Sequence, residues 1–200
     1  MPRQPWTSRE CGFETLRVPA HTQPDNEADC IVYCLWMVSS YVGNEYPDRG
    51  TRDKTNVPKV DDVRKFIKTD ELGWPPNQSD LTDLSTSIST IHFSLESWHS
   101  NPPKSLIELA EQRLDEDLPI IAIVDAQLLR HGIRGSGPMH AVVIVGTDSG
   151  SDQVAIADPW YATIHAVGKD NIEDAWDPML HQIIDVEVAR RNESASRGEE

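Results

Sequence analysis

Two hundred residues suit one domain whose core is large enough to hold without cross-links. The 33 acidic residues outnumber the 18 basic ones, and the resulting net charge of −15 repels nucleic-acid phosphates and anionic lipids, arguing against both as partners. Three cysteines are too few for a disulfide framework, the opening "MPRQPWTSRECG" lacks the apolar segment of a signal peptide, and the longest apolar run, Cys30 to Val38, is about half a membrane span, so a reducing cytoplasm is expected.

Only six of the basic residues are lysines. That balance suits a salt-loving cytoplasm, where acidic surfaces stay hydrated and their self-repulsion is screened; an ordinary acidic protein reads the same way. In chain order, residues 1–17 read as an irregular lead-in, residues 18–188 as the domain, and residues 189–200, with "RRNESASRGEE", as a disordered tail. The first helix is predicted over "CIVYCLWMVSSYV", apolar nearly all round as befits a central helix covered on several sides. "VDDVRKFIKTDEL" has helical spacing at Val60, Val63, Phe66 and Ile67. "SDLTDLSTSIST" opens on Ser79 as an N-cap, with Leu81, Leu84 and Ile88 on one face. "FSLESWH" reads as a strand, and "SLIELAEQRLDED" as a helix opened by a Ser105–Glu108 capping box.

Beyond Pro119 the pattern changes. "PIIAIVDA", "HAVVIVGTD", "QVAIAD", "ATIHAV" and "HQIIDVEV" are short, β-branched and separated by Gly, Asp and Ser clusters. Helices first and strands later predict an α+β fold. "GTDSGSDQ" joins two of the strands as a hairpin, so that part of the sheet is expected to be antiparallel.

Cys30 and Cys34 stand four residues apart at the head of the central helix. With Asp29 at the N-cap position, Cys30 falls in the first turn, where the helix dipole and unpaired N–H groups favour a thiolate. Cys34 lies one turn deeper among apolar neighbours and reads as a packing residue. A disulfide between positions i and i+4 of one helix is geometrically awkward. A zinc pair needs two further ligands, and only His21 and Cys11 lie near in sequence.

A thiolate nucleophile needs a histidine to hold its proton and a third group to orient that histidine. Of the seven histidines, His140 begins "HAVVIVG" directly after the glycine-rich "RHGIRGSGPM". Past the hairpin the next strand ends in "IADPW", which returns Asp158 toward His140. Gln23, seven residues before Cys30, supplies a side-chain amide that suits an oxyanion, beside the Cys30 backbone N–H. Each residue also has a plainer reading. Cys30 can be a buried apolar thiol, His140 a satisfied strand-end histidine, Asp158 a strand terminator and Gln23 a solvated loop residue. Trp160 reads as a cleft-wall or core aromatic, and His131, His165 and His181 as structural.

The order Gln, Cys, His, Asp is that of papain-like cysteine peptidases. The blocks "VPAHTQ", "DCIVYCLWMVSSYVG", "HAVVIVG" and "VAIADP" resemble, more narrowly, the peptidases that remove double-glycine leaders from bacteriocins and their stand-alone relatives. The resemblance runs from Val18 to Tyr161. Ile31 stands where the family has a glycine and Ala141 where an aromatic is frequent. The best-known members are fused to ABC transporters, for which these residues leave no room. The resemblance implies a papain-like fold, with a nucleophile-bearing helix packed on a mainly antiparallel C-terminal sheet. It further implies a Cys30–His140–Asp158 triad with Gln23 in the oxyanion hole, acting on a peptide or protein substrate, with small residues such as Gly-Gly before the cut. No metal or organic cofactor is required. An acyl or amide transferase on the same triad, and a peptide-binding module without catalysis, are the alternative readings.

Overall fold

The computed structural model describes residues 6–7, 11–24, 29–45, 58–67, 76–132, 138–161, 163–176 and 180–188. The tail at 189–200, residues 68–72 and most of the glycine-rich loop before His140 lie outside the described residues; the helix expected over Val60 to Leu72 already ends at Phe66, where Ile67 takes an extended conformation.

Six strands make one sheet: β3 (Ile91–Glu96), β4 (Ile120–Asp125), β5 (Met139–Thr147), β6 (Gln153–Ala157), β7 (Ile164–Gly168) and β8 (Ile183–Val188). Their order across the sheet is β3-β8-β4-β5-β6-β7, and each described pairing is antiparallel. The α+β fold with an antiparallel sheet is thus borne out, including the hairpin between β5 and β6.

The central strands are buried on both faces, which explains their continuous apolar runs. Ile121, Ile123, Val143 and Val145 join the cluster around the central helix, α1 (Cys30–Glu45). The alternate residues Ile120, Ala122, Val142 and Ile144 pack in a second cluster with α4 (Leu106–Leu114). α2 (Val60–Phe66) and α3 (Gln78–Ile88) join α1 on the first face through Val63, Leu81 and Leu84. Between Cys30 and Val42 every residue but Trp36 is buried, as the all-round apolar pattern of α1 requires.

Two helices interrupt the expected run of strands. α5 (Ala126–His131) follows β4 directly, and α6 (Lys169–Trp176) follows β7. Both are short. α6 reads as polar, yet Ile172, Ala175 and Trp176 are spaced three and four apart and bury one face. The N-cap of α3 is Asn77, whose side chain accepts the Asp80 N–H, and not Ser79 as expected; Ser79 lies inside the helix. The Ser105–Glu108 capping box is present on α4.

The lead-in contributes to the fold. β1 (Trp6–Thr7) pairs with β2 (Glu14–Thr15), and the Leu16 N–H donates to the Val145 carbonyl at 2.7 Å. This crossing runs over Gly146, where the β5–β6 register shifts. A Cβ on Gly146 would lie 2.7 Å from the Glu14 carbonyl oxygen, so only glycine admits the overlying backbone.

Candidate active site

The start of α1 is fixed from two directions. The Asp29 carbonyl accepts the Tyr33 N–H at 3.0 Å, which sets Cys30 in the first turn. The Asp29 carboxylate is gripped by Arg64 of α2, with Nε and Nη2 at 2.8 and 2.6 Å. Among the described residues Cys11, Cys30 and Cys34 form no disulfide. Cys34 is fully buried, and burial, followed by the neighbouring charges of Cys30 and Asp158, pushes its thiol well above the usual range. Ile31 turns its side chain into the core beside α1.

The β5–β6 hairpin brings His140 and Asp158 together. Val143 pairs with Ala157, the last residue of β6, which brings Asp158 to the start of β5 and to His140. His140 Nε2 lies 2.7 Å from Asp158 Oδ1, and both side chains are almost wholly buried. The same oxygen accepts the Trp160 N–H at 2.9 Å. Cys30 also acts on the His140 imidazole and favours its charged form. Burial opposes the imidazolium, but the hydrogen bonds and charges of Asp158 and Cys30 prevail and raise His140 to about 9. Burial likewise opposes the Asp158 carboxylate. The imidazole, the Trp160 N–H and Arg130 outweigh it, and the group stays below the ordinary carboxylate range.

Gln23 is buried, and its backbone N–H donates to the Pro159 carbonyl at 2.7 Å, next in the chain to Asp158. The segment before it is anchored on α1: the His21 ring stacks on Trp36 with centroids 4.1 Å apart, and the His21 N–H reaches Met37 Sδ at 3.3 Å. Desolvation holds the His21 imidazole below its usual range. All four residues singled out in the sequence therefore gather where the N-terminus of α1 meets the ends of β5 and β6.

Two further residues complete the surroundings. Trp160 is 43 % exposed and tilts over His140 with centroids 5.0 Å apart, which places it on the cleft wall. Arg130, from α5, was not singled out by any motif. Its Cζ lies 3.0 Å from the Trp160 ring centroid, and its Nη2 stands 3.5 Å from Asp158 Oδ2 and 3.4 Å from His140 Nε2. The only sequence signal for it was an arginine shortly before "HG". His181 is structural: its Nδ1 meets the Trp98 carbonyl at 3.1 Å and its ring abuts Trp176.

A family model described as the Peptidase_C39 like family matches residues 15–184. The chain belongs to this family. Among solved structures, one described as a C39-like peptidase from Bacillus anthracis shares 19 % identity, with a TM-score of 0.55, over 90 % of this chain and 99 % of that one. At that identity the likeness concerns the fold, which is that of a C39-like peptidase. No curated protein matches the chain significantly. Membership of the Peptidase_C39 like family points to a cysteine peptidase. Among the described residues no cluster of three or more His, Cys, Asp or Glu side chains is arranged to hold a metal, and no helix is long and apolar enough to cross a membrane.

Proposed function

We propose that this member of the Peptidase_C39 like family is a thiol-dependent peptidase that cleaves a peptide or isopeptide bond through Cys30, His140 and Asp158. The observation that carries the reading is His140, held by Asp158 at 2.7 Å and drawn toward its charged form by Cys30 as well. The Cys30 sulfur attacks the substrate carbonyl carbon as a thiolate while His140 carries the proton. Collapse of the tetrahedral adduct breaks the C–N bond, His140 protonates the leaving amine, and a thioester to Cys30 remains. Water, deprotonated by His140, then attacks the thioester and releases the acid and the free thiol. Asp158 holds the imidazole in the tautomer that presents Nδ1 to Cys30 and stabilises its charge. The Cys30 N–H, in the first turn of α1, and the Gln23 amide are assigned to the oxyanion. The family resemblance supports small residues such as Gly-Gly before the cut.

The test is labelling with an activity-based thiol probe, followed by turnover of fluorogenic peptides ending in Gly-Gly. Wild-type protein is expected to take up the probe and release the fluorophore, and Cys30→Ala to do neither. Equal labelling of the two, or turnover that survives Cys30→Ala, overturns the proposal. Added hydroxylamine appearing in the product in preference to water would reassign the chemistry as acyl transfer.

A further inference from the structure

Asp158 also borders a second space. Arg130, His131, Asp158, Tyr161, Thr163 and His165 line a cavity of about 460 Å³. Its lining is richer in hydrogen-bond donors than in acidic groups. In a protein of net charge −15, the cavity has one guanidinium, two imidazoles and two hydroxyl-bearing side chains against a single carboxylate. That carboxylate is already engaged, because Asp158 Oδ1 accepts from His140 and from the Trp160 N–H. Arg130 meets the other oxygen only at 3.5 Å, the outer limit of a hydrogen bond. Its Nε is buried and makes no hydrogen bond. The guanidinium offers five donors in a fixed plane, and the Trp160 ring 3.0 Å away holds that plane. A guanidinium that is largely buried, with Nε unpartnered and its one ion pair long, has donors left for a carboxylate from outside.

The position relative to the chemistry says which carboxylate. His140 protonates the leaving amine, so the leaving half of the substrate starts beside His140. From there the exposed Trp160 ring, 5.0 Å from the imidazole, leads to Arg130 and the cavity. Arg130 Nη2 itself stands 3.4 Å from His140 Nε2, so at most about two residues of extended chain, at about 3.3–3.6 Å each, cover that path. We propose that the cavity is a carboxylate subsite for the leaving side of the substrate, selecting an acidic residue about two positions after the cleaved bond. This rests on the peptidase reading for its orientation. The cation is Arg130, with His165 and Thr163 as additional donors.

Binding to the Cys30→Ala protein tests the subsite without turnover. Calorimetry with N-acetylated, C-amidated Gly-Gly-Ala-X-Ala peptides compares Glu, Gln and Lys at X. Glu is expected to bind about tenfold more tightly than Gln, the effect of one charge-assisted hydrogen bond, and Lys no better than Gln. The preference should vanish in Cys30→Ala carrying Arg130→Met. Because that change also touches Asp158, His165→Glu, which puts a negative charge in the cavity, serves as a second variant and should remove the preference too. Equal affinity for Glu and Gln, or a preference that survives both variants, overturns the subsite. Sodium acetate is titrated separately against thermal melting. Stabilisation by acetate with no Glu–Gln difference would make the cavity a small-anion site and overturn the substrate assignment. A Glu preference in a protein whose wild type lacks turnover would leave the subsite standing and remove the peptidase.

Discussion

Asp158 holds His140 from 2.7 Å with the same oxygen that accepts the Trp160 N–H, so the imidazole is oriented by a carboxylate that is itself pinned. In the proposed mechanism this pair acts as a unit with Cys30. Cys30→Ala and His140→Ala should each abolish turnover with the fold intact, and the double variant should be no worse than either. Asp158→Asn keeps a hydrogen-bond acceptor but loses the charge that raises His140. Its turnover should fall less than in the other two, and the alkaline limb of its kcat/KM profile, near 9 in the wild type, should move to lower pH. Full activity per folded molecule in Asp158→Asn, after correction for thermal melting, would leave a Cys–His dyad.

The same shift predicts how stability depends on pH. His140 is raised to about 9 in the folded protein, from about 6.5 in an unfolded chain, so protonation favours the fold. That contribution is complete below about 6.5 and is lost as pH rises through about 9. Denaturant midpoints taken from pH 6 to 10 should fall across this window in the wild type. In His140→Gln the fall should be smaller; an identical fall in both proteins would sink the assignment.

Iodoacetamide should distinguish the cysteines. Cys34 is wholly buried and its thiol is pushed up, whereas Cys30 contacts His140 at the end of α1. Peptide mapping after brief alkylation of the folded protein at neutral pH should find Cys30 modified first. Labelling of Cys34 at an equal or greater rate contradicts the choice of nucleophile.

Gln23→Ala should lower kcat by about 10²–10³ with little change in KM, the usual loss for one oxyanion donor. The Gln23 N–H to Pro159 bond survives the substitution, because it is made by the backbone. A loss confined to KM would move Gln23 from the chemistry to substrate binding.

Gly146→Ala should destabilise the domain although no catalytic group changes. The new methyl would meet the Glu14 carbonyl at 2.7 Å, and backbone must shift to admit it. Overpacking of this kind costs about 1–3 kcal/mol. A melting temperature equal to that of wild type would show that the crossing strand is free to lift.

Much of this arrangement was legible because it follows from local rules. α1 declares itself by an apolar circumference, and β4, β5 and β6 by apolar runs bounded by turn residues. His140 and Asp158 were readable as a pair because one hairpin separates them. α5 and α6 escaped because they are short. α5 begins directly after the last residue of β4, buried Asp125, which caps it by accepting the Gln127 and Leu128 N–H groups, and it offers too few turns for a period to emerge. Arg130 escaped with α5: its placement over Trp160 is tertiary, and no spacing in the chain encodes it. The cap of α3 was displaced by two residues because Asn77 and Ser79 are both good caps, and packing of Leu81 and Leu84 decides between them.

The hydrogen bond from Gln23 to Pro159 joins segments more than a hundred residues apart in the chain. Synthesis therefore delivers the thiol long before the histidine and carboxylate that arm it. A ribosome-bound fragment that has completed α1 holds a cysteine with no base, and closure of the β5–β6 hairpin supplies both missing partners together. Chain order thus works as a timer, withholding the proposed proteolytic activity from a cell until nearly the whole domain has been made.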